Sequence, residues 1–501
     1  MSLFDDVLFD YQKVAARRIA NDRRLLLADQ PGLGKTLEVL GGLEQAGLFD
    51  TQSMVLILTP IINAHTTWVD SIERFVKPRY YECDVVDVSK GSSAQKSKQF
   101  RRVFRDGVVF VVANHNALDV VNGKPRVPEL FEQMWDAVVV DESHMVLPIK
   151  DSRKPTNFWK GLLKLRYSVD EPIRVAVSGT PDRGKLENRY GTWLFLHHEF
   201  AGFNRWAWLE RNFWVVEQRV ARNRTIKVVQ GLRDEQEWLA YDRMLMLRRT
   251  KAEVLPQLPP KRYVDVDIVL TDKQLAAYKI QQLESSEVLR VAKLEDKASG
   301  EAMVFALRAR QIADCLWSEN EPVVGGASAK LDWLLEWLSE RGFIEFDSMA
   351  DNQAKVVIVS QFSKVLRWLK EELANVGVRA DVLDGGCGDN ERVRIQTEFQ
   401  TGDLRIVLLS GGMGVGINLD AADDLIMFDS PYDPDRVEQI EDRVHRASSN
   451  HSVTIWNLVA QDTIDEAVME RVSERYKTTR KLLDGSRGVV FGREVLKMVA
   501  K

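Results

Sequence analysis

The stretch Asp29-Gln30-Pro31-Gly32-Leu33-Gly34-Lys35-Thr36 has the residue types and spacing of a loop that holds phosphate groups. Glycines at 32 and 34 let backbone N–H groups face an anion, and the N-terminus of a following helix adds a favourable field. Lys35 can reach the β- and γ-phosphates of ATP, and the hydroxyl of Thr36 can sit on Mg²⁺. Asp141-Glu142-Ser143-His144 follows the apolar run Val138-Val139-Val140. A carboxylate at the end of a buried strand suits Asp141 to hold the Mg²⁺, while Glu142 can orient and deprotonate an attacking water. In Gln439-Ile440-Glu441-Asp442-Arg443-Val444-His445-Arg446 the two arginines are three apart, a spacing that places both on one helical face. Guanidinium groups there can stabilise charge on a transferring phosphoryl group. An acidic pair or an arginine pair alone reads as a solvated surface. Beside a phosphate loop, Lys35, Asp141, Glu142, Arg443 and Arg446 read as a catalytic set.

Such a set needs a scaffold that gathers distant segments. Short apolar runs recur at Arg24–Ala28, Met54–Thr59, Val108–Ala113, Ala137–Val140 and Arg174–Val177. They lack polar alternation, which predicts strands covered on both faces, as in a parallel sheet wrapped by helices. The amphipathic segment Leu37–Leu43 predicts a helix directly after the phosphate loop. The scheme repeats at Lys355–Val359, Ala380–Leu383, Arg405–Leu409, Asp424–Phe428 and Val453–Asn457. Between these halves, Thr271 to Arg310 is charged, glycine-poor and helix-favouring. Trp333, Leu334, Trp337 and Leu338 recur at helical spacing and predict a core face. The expected fold is α/β: two lobes of parallel sheet flanked by helices, with a helical insertion and a helical tail from about Thr463. The expected domains are a first lobe over 1–255, a linker and helical insertion over 256–325, and a second lobe with tail over 326–501.

At 501 residues the chain exceeds one compact domain, and a 45% hydrophobic content rules out global disorder. A net charge of −5 excludes a protein coated with cations, but a local basic track suffices for nucleic acid. Cys83, Cys315 and Cys387 are scattered and odd in number, which disfavours a disulfide framework or a zinc site. No apolar run approaches the roughly 18 residues that span a bilayer. Met1-Ser2-Leu3-Phe4-Asp5-Asp6 lacks the basic start of a signal peptide. The chain is expected to be intracellular: cytoplasmic in a bacterium or virus, nuclear in a eukaryote.

Taken in order, these motifs resemble the Swi/Snf-type ATPases, a DEAH-like branch of helicase superfamily two, over nearly the whole chain. Leu8-Phe9-Asp10-Tyr11-Gln12 is similar to the family's adenine-reading motif and implies Gln12 as a nucleotide contact. Thr59-Pro60 with Trp68 and Phe75, and Ser178-Gly179-Thr180-Pro181, resemble further first-lobe motifs. Leu247-Arg248-Arg249-Thr250-Lys251, running on to Leu258-Pro259-Pro260-Lys261, is similar to a segment peculiar to this family. Ser328-Ala329-Lys330-Leu331, Ile358–Phe362 and Ser410–Leu419 resemble second-lobe motifs. The resemblance implies two RecA-like lobes with the nucleotide in the cleft between them, and His144 coupling that site to a polynucleotide. Pro31, Gln30 and Ala447-Ser448-Ser449 depart from the family pattern without touching the Lys-Thr pair or the arginines.

The resemblance also implies a motor that tracks along DNA, with contacts from Thr59, Asn114, Thr180, Gln361 and Gly412 to phosphates, tolerant of sequence and sensitive to salt. Val215–Val229 reads as a hairpin with Asn223-Arg224 at its turn, and its Arg219, Arg222, Arg224 and Lys227 could touch duplex or branched DNA. Trp206, Trp208 and Trp214 before it read as buried packing, and His197-His198 as structural. The expected function is an ATP- and Mg²⁺-dependent DNA translocase, acting as a monomer in repair, recombination or fork remodelling. A strand-separating DNA or RNA helicase and a non-hydrolysing, ATP-gated scaffold are the alternatives. Without room for histone-reading modules, nucleosome remodelling is not expected.

Overall fold

The computed structural model describes residues 4–470 except 81, 101–106, 169–170, 183–184, 222–223, 295–297, 345–352, 414–416, 447–448 and 450. The described residues divide into two compact units, the first within 4–256 and the second within 257–413 and 417–470.

The first unit is built on a seven-stranded, wholly parallel sheet. Its strands lie in the order Met246–Leu247, Arg24–Leu27, Ile173–Val177, Ala137–Val140, Ser53–Thr59, Val108–Asn114 and Cys83–Asp87. Apolar side chains fill both faces because successive residues point to opposite sides. Val138 and Val140 join a core containing Trp135, Trp159 and Trp193, whereas Ala137 and Val139 join one containing Trp68 and Phe110. Two layers of helix cover such a sheet only if its strands carry no polar alternation, which is the pattern the sequence shows.

The second unit repeats the principle with six parallel strands in the order Arg262–Ile268, Thr454–Ala460, Asp424–Met427, Val356–Ser360, Ile406–Ser410 and Ala380–Leu383. Val356 and Ile358 face one core, and Val357 and Val359 the other. The edge strand Arg262–Ile268 falls in the segment read as linker and helical insertion. Its alternating pattern of exposed charge hides a strand from a search for continuous apolar runs. The insertion itself forms helices Asp272–Leu294 and Ala298–Asp314. Helix Ala329–Glu340 buries Leu334, Trp337 and Leu338, with Trp333 half-buried against Trp456. Lys330 at its start is fully buried and is neutralised by Asp314 and Asp465, 2.9 and 2.6 Å away.

Phe213–Ala221 and Arg224–Leu232 form the expected antiparallel hairpin in the first unit. Arg224 belongs to a strand, and Arg222 lies outside the described residues. Trp208 is buried against Tyr190, Phe213 and Trp238 as expected. Trp214 corrects the expectation of buried packing: it is 55% exposed and stacked by the Arg233 guanidinium, because its strand residue turns away from the core. The helical tail is described only to residue 470. Among the described residues, no helix is long and apolar enough to cross a membrane.

Candidate active site

Sheet order decides which chemistry meets. In a parallel sheet every strand delivers its following loop to the same edge. Leu27 pairs with Val177, Ala176 with Val140, and Leu58 with Val140. The phosphate loop, Ser178, Asp141 and Thr59 therefore stand in a row at the carboxyl edge.

The loop after Leu27 turns through Gly32 and Gly34, both with left-handed φ, of 84° and 82°. Helix Lys35–Gln45 then begins at Lys35, with Thr36 half-buried in its first turn. The Lys35 ammonium donates to the carbonyls of Asp29 and Gln30 at 2.7 and 3.1 Å, so it already lies across the loop. Gln12 sits against the loop from the preceding helix. Its Oε1 accepts from Phe9 N at 3.0 Å, and its Nε2 donates to Leu33 O at 2.9 Å. A Cβ on residue 34 would collide with that Nε2, so Gly34 serves close packing as well as backbone conformation. The loop's other flank rests on Gly179, where a Cβ would come within 2.7 Å of the Pro31 ring.

Asp141 is held rigidly. Its Oδ2 accepts from Thr59 Oγ1 at 2.8 Å, Trp68 Nε1 at 3.0 Å and Asn63 Nδ2 at 3.4 Å, and its Oδ1 accepts from Glu142 N at 2.9 Å. Trp68 reaches it from a π-helical stretch, Ala64–Val69. Three donors on one oxygen leave Oδ1 as the face with spare lone-pair capacity. Glu142 follows in a left-handed conformation (φ 45°, ψ 45°), a costly geometry for a non-glycine residue and one found at functional sites. Its Oε2 lies 3.3 Å from His144 Nδ1, which in turn lies 2.8 Å from Ser178 Oγ. Thr180 N donates to the same hydroxyl at 3.1 Å. A continuous polar path thus runs from the acidic pair to the Ser178–Thr180 turn.

In the second unit Arg443 donates to Met413 O at 2.5 Å and Arg446 to Ile417 O at 2.7 Å. The two guanidinium groups hold carbonyls on either side of the Gly-rich stretch. Helix Pro434–Val444 ends before Arg446, so the pair does not share a helical face as its spacing suggested. Burial, with Arg446 and Arg436 nearby, pushes Arg443 down to about 10, which leaves it charged at neutral pH. Burial also lowers Arg446, against the pull of Asp420 and Asp442.

The expected polynucleotide contacts fare differently. Thr59 is fully buried and its hydroxyl donates to Asp141 Oδ2 at 2.8 Å. Asn114 donates to Ser89 O at 2.7 Å. Thr180 is buried at the Ser178 turn. Gln361, after strand Val356–Ser360, is positioned by its backbone N–H on Asp429, and Gly412 is exposed after strand Ile406–Ser410. Nothing is described of the Arg224 side chain.

Sequence reasoning assigned no role to several groups that the fold brings to the phosphate loop. Arg249 forms ion pairs with Asp29 and, at 2.8 Å, with Glu38. Arg248 donates to Ala28 O at 2.9 Å and Gly179 O at 3.1 Å. The family-like run from Leu247 was the available signal, but its local pattern does not say what it touches.

Residues 12–315 match the family model of the SNF2-related domain, and residues 329–448 that of the helicase conserved C-terminal domain. An uncharacterized ATP-dependent helicase of Mycoplasma pneumoniae is 24% identical over 91% of this chain and 40% of its own length. The chromodomain-helicase-DNA-binding protein 1-like of Danio rerio is 26% identical over 93% of this chain and 42% of its own. The human DNA annealing helicase and endonuclease ZRANB3 is 23% identical over 94% and 40%. The chain thus spans about two fifths of the length of these curated relatives. The SWI2/SNF2 ATPase core of Sulfolobus solfataricus, solved in complex with dsDNA, aligns with 95% of this chain and 93% of its own at 21% identity and a TM-score of 0.41.

Proposed function

Since the chain belongs to the SNF2-related family of helicase-type ATPases, we propose that it is a DNA-dependent ATPase that uses ATP hydrolysis to move along duplex or branched DNA. The observation that carries this reading is the row at the first sheet's carboxyl edge. Lys35, Asp141 and Glu142 come from two separate loops, and His144 links the acidic pair to the Ser178–Thr180 turn.

Backbone N–H groups of the loop from Gly32 to Thr36 and the Lys35 ammonium hold the phosphates, while Gln12 fixes the loop from the side where the base would be read. Mg²⁺ would be held by the Thr36 hydroxyl and Asp141. The residues fit, because Asp141 keeps Oδ1 available, and this ion is commonly bound by one or two carboxylates together with substrate phosphates. Bound there, it would neutralise phosphate charge. Glu142 orients a water and accepts its proton as that oxygen attacks the γ-phosphorus, while the bond to the β–γ bridging oxygen breaks and ADP leaves. By the resemblance, Arg443 and Arg446 are the groups proposed to offset the charge that develops on a transferred phosphoryl group.

DNA as the track is supported by the printed names of two relatives, a DNA-binding chromodomain helicase and a DNA annealing helicase. The latter name also supports work on annealing DNA; a role in repair, recombination or fork remodelling is part of the same proposal. Thr59, Asn114, Thr180, Gln361, Gly412, Arg222 and Arg224 are the proposed phosphate contacts.

The test is phosphate release measured against single-stranded, duplex, forked and four-way DNA and against RNA. Stimulation by duplex or branched DNA supports the reading. A rate unmoved by every polynucleotide overturns it.

A further inference from the structure

We propose that Arg249 is a positioning residue for the nucleotide: its guanidinium offsets two carboxylates, Asp29 and Glu38, that would otherwise oppose a triphosphate on the loop joining them. This rests on reading that loop as the ATP site.

Asp29 opens the phosphate loop, and Glu38 lies one helical turn after Lys35. Both are fully buried, so water cannot screen them. Arg249 arrives from the far end of the first unit and divides its donors among three acceptor groups. Nε reaches Asp29 Oδ1 and Oδ2 at 3.2 and 3.0 Å. Nη2 reaches Asp29 Oδ2 and, at 2.8 Å, Glu38 Oε1. Nη1 reaches Tyr11 O. The guanidinium also lies over the Tyr11 ring, 5.2 Å from its centre. The Tyr11 hydroxyl joins Gln12 in donating to Leu33 O.

Arg249 thus bridges two buried carboxylates, with the Lys35 ammonium lying across the same loop. Adding a polyanion beside this pair raises the need for the cation. A lysine would supply the charge but not the planar fork that serves Asp29, Glu38 and Tyr11 together. The pair is enclosed, so its field on the ligand is screened little by salt.

The experiment measures ATP and ADP affinity, with kcat and KM, on the full chain. Arg249→Met should weaken ATP binding at least tenfold and ADP binding less, since the opposing charge on the ligand is smaller. Adding Glu38→Gln to Arg249→Met should recover most of that loss, and Arg249→Lys should fall between. A purely structural role would lower the melting temperature while weakening ATP and ADP alike. That result, or a double variant no better than Arg249→Met, overturns the proposal. Should Arg249→Met not fold, Arg249→Lys against Arg249→Lys/Glu38→Gln makes the same comparison. Wild-type protein that neither binds nor hydrolyses ATP defeats the site reading itself. Wild-type activity with unmoved variant affinities defeats only the role of Arg249.

Discussion

Glu142 and Ser178 share one partner: the Nδ1 atom of His144 is 3.3 Å from the carboxylate of Glu142 and 2.8 Å from the hydroxyl of Ser178. The proposed water-activating group and the turn after the neighbouring strand are therefore joined through a single ring nitrogen. A shift of the Ser178–Thr180 turn on DNA binding would be felt at Glu142 without any intervening loop. Ser178→Ala removes the hydroxyl that faces His144 Nδ1. DNA stimulation of ATP turnover should fall about tenfold, and by more than the DNA-free rate does. Equal losses with and without DNA would show that the path carries no coupling.

Lys35 and Glu142 serve different steps, so their variants should separate. Lys35→Ala removes the cation that lies across the loop and should weaken ATP binding as well as turnover. Glu142→Gln keeps the shape but loses the base, which typically costs about 10²–10⁴ in rate. Nucleotide binding should survive that change. Filter or fluorescence binding beside phosphate release distinguishes the two, and undiminished turnover in Glu142→Gln removes the mechanism.

Arg443 and Arg446 hold the carbonyls of Met413 and Ile417, one on each side of the Gly-rich stretch. Arg443→Ala or Arg446→Ala should lower kcat by about 10³ or more, on the scale of arginine fingers. Because both arginines hold the same stretch, the double variant should lose little beyond either single one. Strictly multiplicative losses in steady-state kinetics would argue for independent roles.

His115 supplies a stability prediction. It is buried, its Nε2 lies 2.8 Å from Asp141 O, and burial lowers its pKa. The folded state therefore favours neutral imidazole, while the unfolded chain takes up a proton near pH 6.5. Its contribution is complete above about pH 6.5 and is lost as pH falls from there through the depressed folded value. Thermal unfolding from pH 8 to pH 5 should show that decline. His115→Gln should be less stable at pH 8 but should lose stability less steeply, by up to about 1.4 kcal/mol per pH unit. An unchanged slope would mean that other groups govern the acid limb.

What could be read from the sequence was what backbone chemistry encodes locally. Two glycines, a lysine and a threonine within eight residues specify a phosphate loop, because the turn and the helix start that form it lie in the same segment. Unbroken β-branched runs specify strands buried on both faces, because both sides of the pleat must be apolar there. Asp141 at the end of such a run was legible for the same reason. The tertiary structure decided the partners. Trp68 donates to Asp141 across 73 residues, and Arg249 to Asp29 across 220. Those distances close only once the order of strands in the sheet is set, and that order leaves no local trace. Helix length decided that Arg446 falls beyond the turn bearing Arg443, and strand facing decided that Trp214 is exposed while Trp208 is buried. Local chemistry named the candidate reacting groups; long-range packing chose which charges surround them, because buried charges must be matched by whatever side chain the fold delivers.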